Sequence, residues 1–289
     1  MNKKSFFTAL LVFMAVLGAE AQTNKVYKAD TVIDGNGNKI ITVNSAGTVV
    51  EGNGNIITRN FNVAAFDEIK TIFPATINYT VADDYSCNVT LDENLFEYLN
   101  IHTDGDELIL GYVLEKIQHI NLTPTKFVIE LGAPTMEKIS IAGSTDFCFV
   151  TPVETRKLKI QTAGSGSVVF KETANIHDFD MQIAGSGKMI CKKLLADSMK
   201  LNIAGSGDMI VEDGAVKSAN ISIAGSGSVE TRCQLEAMDY TIAGSGTIRY
   251  LGDVNVSGYN MGGKLRRIDL EDKKTNKKCC DEKQKKTKN

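Results

Sequence analysis

The chain has 289 residues, with 32 Lys and Arg against 35 Asp and Glu for a net charge of −3, and it contains 25 Gly, 4 Pro and no Trp. This glycine-rich, proline-poor mixture is a strand-and-turn composition, and at 43% apolar it holds enough material for an ordinary core. The charge is unevenly placed, with +6 on residues 264–289 and −10 on residues 22–263, and so acidic a body excludes nucleic acid as the main partner.

In chain order, Lys3 and Lys4 precede an apolar run from Phe6 to Leu17 and then Ala19-Glu20-Ala21, a small-x-small cleavage site. That order predicts a secretory signal peptide over residues 1–21. The run is shorter than the ~20 residues of a spanning helix and nothing later approaches that length, so no transmembrane span is expected. Residues 22–58 read as an N-terminal extension of short strands, in which DGNGN at 34–38 and EGNGN at 51–55 flank KIITVNSAGTVV as turn, strand, turn. Residues 59–136 form a β-rich first half of alternating apolar strands, ending with FVIEL at 127–131.

Residues 137–263 are dominated by a repeat: IAGST at 141, TAGSG at 162, then IAGSG at 183, 203, 223 and 242. The first glycines, Gly143, Gly164, Gly185, Gly205, Gly225 and Gly244, are 21, 21, 20, 20 and 19 residues apart and define rungs one to six. A period of about 20 residues is one coil of a β-solenoid. Counting from each glycine, the positions four and two before it and four and six after it are apolar almost throughout; those of rung four are Leu201, Ile203, Met209 and Val211. The position three before it is always polar: Ser140, Gln161, Gln182, Asn202, Ser222 and Thr241. This alternation assigns one face of each strand to a core and the other to water. The six glycines read as structural turn positions, where a missing Cβ permits a tight turn.

At the odd position five after the glycine stand Cys148, Val169, Ile190, Ile210, Glu230 and Arg249, so the first four rungs place an apolar stripe on the outward face. Three readings account for it: the half from 59 to 136 folds over it, it is a subunit interface in a homo-oligomer, or a local bulge turns it inward. Ala163, Ala184, Ala204 and Ala224, within a ladder that begins at Ala142 and ends at Ala243, would let a partner approach closely. Residues 264–289, rich in Lys with few apolar side chains, read as a disordered tail.

None of the chemical motifs points to catalysis. His102, His119 and His177 lie outside metal-ligand spacing of one another or of Cys. AGSG occurs six times without the helix, His and acid that a nucleophile elbow needs, and no Gly-Lys-Ser/Thr closes a phosphate loop. Asp208 fits a calcium-binding turn, but its ladder of Asp146, Ser167, Lys188, Asp208, Ser228 and Thr247 contains a lysine that would repel the ion. No metal or cofactor is therefore expected. Cys148, Cys191 and Cys233 fall on rungs one, three and five, spaced too widely at ~4.8 Å per rung for bridges. Cys279 and Cys280 lie in the tail.

RNFNVAAFDEI at 59–69, TVADDYSCNVTLDENLFEYL at 80–99, DGDELIL at 104–110 and the IAGSG rungs together resemble the "putative auto-transporter adhesin, head GIN domain" family of exported bacterial proteins. The resemblance spans roughly residues 56–251, and SGYNMGGKL at 257–265 departs from the rung pattern like a terminal cap. It implies a right-handed parallel β-helix and an exported, adhesive role, and it supplies no functional residues. The expected protein is all-β, exported to the periplasm, outer-membrane surface or medium, and non-enzymatic. It would bind an unidentified protein or glycan of the cell envelope. The rival readings are a polysaccharide-active β-helix enzyme and a purely structural envelope protein; against the former, the outward ladders lack clustered Asp, Arg and aromatic residues.

Overall fold

The computed structural model describes residues 29–33, 39–43, 47–113 and 120–268. Among these, the one helical element is the short 3-10 turn Glu93–Tyr98, and the rest of the regular structure is strand. The rungs stack as a parallel β-solenoid of about seven turns. Gly143 stands opposite Gly164, and the ladder continues through Gly185, Gly205 and Gly225, each strand parallel to the next. After the turn, Asp146–Phe149 and its equivalents form a second parallel ladder running through Thr247–Leu251.

The inward positions read from the period are the core. Ile183, Ile203, Ile223 and Ile242 are at most 2% exposed, and so are Val168, Met189, Met209, Val229 and Ile248. Each such side chain contributes ~1.5–3 kcal/mol of burial, which no coil could collect without neighbours on both sides. Phe149 and Phe170 stack with centroids 4.2 Å apart and planes 5° apart, and Phe179 meets Phe170 edge-on at 5.9 Å. The interior is thus filled by stacked side chains.

Both glycines of AGSG are fixed by contact between coils. At Gly205, φ is +130° and a Cβ would lie 2.4 Å from the carbonyl oxygen of Gly185. At Gly207, which is buried, it would lie 2.7 Å from the Gly187 oxygen and 2.8 Å from Ile183 Cγ2. Rung one carries Thr145 in place of this second glycine, where its hydroxyl donates to the Phe73 carbonyl at 2.5 Å and is fully buried.

The first half extends the same ladders end-on. Glu68–Thr71 pairs in parallel with Lys138–Gly143, and Thr76–Val81 with Asp146–Phe149, so these strands add to the stack rather than folding over its outward face. Beyond them, Ser86–Asp92 runs antiparallel to both Phe127–Ala133 and Ile56–Phe61, and the hairpin Leu99–Asp104 with Glu107–Tyr112 turns at Gly105. These antiparallel strands close the N-terminal end.

Asp92 anchors that closure. Its fully buried carboxylate accepts the backbone N–H of Gly54 at 2.9 Å and of Thr125 at 2.7 Å. Burial alone would raise its pKa, but the N–H donors of Gly54, Thr125 and Lys126 outweigh that and hold it below the ordinary carboxylate value.

Two expectations are corrected at the termini. KIITVNSAGTVV is not one strand but two, Lys39–Val43 and Gly47–Glu51, paired antiparallel, with Ala29–Ile33 added to the first and Ile120–Thr123 to the second. At the other end, Asn255–Met261 and Lys264–Ile268 continue the two ladders. The first five residues of the expected tail are therefore strand, because Leu265 and Ile268 are spaced to tuck partly inward beside Ile248 and Leu251. His119, Cys279, Cys280 and the signal-peptide residues lie outside the described residues.

Candidate interaction surfaces

Of the four apolar residues expected at the outward position, three reach the surface. Val169, Ile190 and Ile210 stand in direct register and are each partly exposed. Cys148 is 8% exposed and does not join them as surface, because its short side chain lies between the larger Asn78 and Val169 in the same ladder. No bulge turns the stripe inward, since the one register shift in this stack falls later, between Phe170 and Thr173. On one flank stands the ladder of Ser167, Lys188 and Asp208, and Lys171, Lys192 and Glu212 lie on the other. In the ladder around Lys188, Ser167 donates to Asp146 at 2.6 Å and Ser228 to Asp208 at 2.5 Å, so its carboxylates accept from neighbouring hydroxyls. Among the described residues no group of three His, Cys, Asp or Glu could hold a metal.

Around the turn, Ala163, Ala184, Ala204 and Ala224 are partly exposed beside Gln161, Gln182, Asn202 and Ser222. Gln161 donates to Gln182 along the ladder at 3.2 Å. Two columns of small or uncharged polar side chains make this face flat. Cys87, Cys148, Cys191 and Cys233 are all buried, and Cys191 stacks between Phe170 and Val211 where burial pushes its pKa up to about 12. Such a thiol is a small core residue rather than a nucleophile.

A second feature was not singled out from the sequence. His177 lies exposed on the strand Ser167–Gly185, and its Nδ1 is 2.8 Å from Asp197 Oδ2, one coil on. Lys217, a further coil on, donates to Asp197 Oδ1 at 2.7 Å. Hydrogen bonds from Lys217 and then His177 hold the Asp197 carboxyl below its usual range, and the same bond raises Lys217. His177 and Asp197 line both of two open grooves, of about 370 and 460 Å³; Lys217 lines the first, and the second reaches Glu154 and Arg156. The signal was present as spacing, since 177, 197 and 217 differ by one coil. Searching for local motifs rather than for charges one period apart misses it.

Comparison with known proteins places this architecture. The family described as "Putative auto-transporter adhesin, head GIN domain" matches residues 65–253, and the chain belongs to it. No curated protein matches the sequence. Among solved structures, one described as a putative lipid binding protein from Parabacteroides distasonis is 28% identical with a TM-score of 0.66, covering 76% of this chain and 99% of its own. A putative adhesin from the same species is 25% identical at a TM-score of 0.65, covering 76% and 100%. A putative adhesin from Parabacteroides merdae, 23% identical at 0.64 over 76% and 99%, shares the fold.

Proposed function

We propose that this chain is an exported, non-catalytic binding protein of the cell envelope that engages its partner along the outer faces of the solenoid. The observation that carries this reading is the unbroken register of outward side chains from coil to coil, which presents Val169, Ile190 and Ile210 as a stripe and the alanines and amides as a flat face. Such ladders favour an extended partner that makes the same contact repeatedly. With a core filled by stacked side chains, a ligand is best met at the surface, and the neighbours described as adhesins or lipid binding suit that geometry.

The test is capture of envelope polysaccharides and proteins on the immobilised chain, alongside assay for their turnover. Retention without turnover is expected; depolymerisation of a retained glycan would replace this reading with an enzymatic one. If the stripe is instead a contact between copies of the chain, Ile190→Lys with Ile210→Lys should convert an oligomer to a folded monomer in light scattering. An unchanged mass would leave the stripe to a different partner, and loss of fold would show it to be needed within the chain.

A further inference from the structure

The last described coil breaks the pattern of every coil before it. In the column that holds Gln182, Asn202, Ser222 and Thr241, the next residue is Tyr259, and in the alanine column Ala243 is followed by Met261. Tyr259 is 56% exposed and Met261 55%, more than any other large apolar residue described. Across the turn at Gly262 and Gly263, the column of Ile210, Glu230 and Arg249 ends in Arg266, while Lys264 comes after Thr247. Arg249 is tied to Glu230 and Arg267 to Asp253, whereas Lys264 and Arg266 are exposed and take part in no ion pair among the described residues. The 21 residues after Ile268 add a further net +3.

Apolar and aromatic side chains on one side of a turn and unpaired cations on the other, at one end of an acidic rod, match the chemistry of an anionic bilayer surface. Tyr sits well at the headgroup level, Met enters the acyl boundary, and Lys and Arg meet lipid phosphates. The net −10 of residues 22–263 opposes side-on approach to the same surface. We infer that the C-terminal coil, through Tyr259, Met261, Lys264 and Arg266, docks the solenoid end-on to an anionic membrane, leaving its ladders free to bind. This deepens the binding role proposed above by naming the surface to which the protein is attached.

The experiment is co-sedimentation of the exported chain, recovered after secretion, with vesicles of phosphatidylcholine containing phosphatidylglycerol, against phosphatidylcholine alone. Binding only to the anionic vesicles, falling as salt rises, is expected. Lys264→Glu with Arg266→Glu should weaken it by about tenfold or more, given ~1 kcal/mol per cation near such a surface. Tyr259→Ser with Met261→Ser should weaken it several-fold at unchanged thermal midpoint. Equal binding to both vesicles, or indifference to both double variants, would overturn the inference. So would charge-dependent binding that ignores Tyr259 and Met261 and is matched by soluble alginate, which would mark a polyanion site. Capture of envelope ligands by the charge variant separates failure here from failure of the binding role.

Discussion

Thr231 occupies an inward column between Val211 and Tyr250, fully buried, and its hydroxyl is the one buried side-chain polar atom without a hydrogen-bond partner among the described residues. An unsatisfied hydroxyl costs roughly 1–3 kcal/mol, and valine has the same shape without it. Thr231→Val should therefore raise the thermal midpoint by a few degrees; a lower midpoint would mean that the hydroxyl is satisfied after all. The glycines make the opposite case. Gly205→Ala forces a Cβ to within 2.4 Å of the Gly185 oxygen at φ +130°, in the middle of a continuous stack. Gly54→Ala also meets a positive φ, +77°, but finds nothing within 4 Å. Calorimetry should show Gly205→Ala losing several kcal/mol and Gly54→Ala about 1. Similar losses would remove coil-to-coil contact as the reason for the repeated glycine.

At the scale of elements, the N-terminal closure hangs on Asp92, which ties the turn at 52–55 and the loop before Phe127 to the start of the 3-10 turn. Gly52 is required there, since a Cβ would overlap the Asp92 carboxylate at 2.3 Å. With its folded pKa below the unfolded value near 3.9, Asp92 contributes stability that is fully present above that value and lost as pH falls through the folded one. Asp92→Asn should thus cost ~1–3 kcal/mol at pH 7, and the gap should shrink below about pH 4. Urea titrations of both proteins at neutral and acid pH measure it; a gap independent of pH would sink the argument. Asp92 also marks where sequence reading stopped. The rungs were legible because one residue type recurs at one spacing, so Ile203 or Val211 could be placed inward by counting. The closure is built once, from Gly52, Asp92 and Thr125, whose separations carry no period, and only the folded chain brings them together.

For the whole molecule the same division holds. The outward columns could be written down from the period, including the stripe, yet the half-burial of Val169 and the burial of Cys148 depend on the sizes of neighbours in adjacent columns. The trio of His177, Asp197 and Lys217 was equally periodic, but its partners are chemically unlike, so no repeated letter drew them out.

The parallel register has a mechanical consequence. A rod held at one end and gripped at the other carries load, and here that load runs along the stacking axis, across hydrogen bonds that join each coil only to its neighbours. Tension should peel the end coil first and then meet the same resistance again at the next. Each detached coil frees about 20 residues, or roughly 70 Å of extended chain, while the rod itself shortens by only ~5 Å. Force spectroscopy on the chain should accordingly give a regular sawtooth with that spacing rather than one large rupture. The protein would then act as a shock absorber, giving way in small steps that can re-form once the pull relaxes.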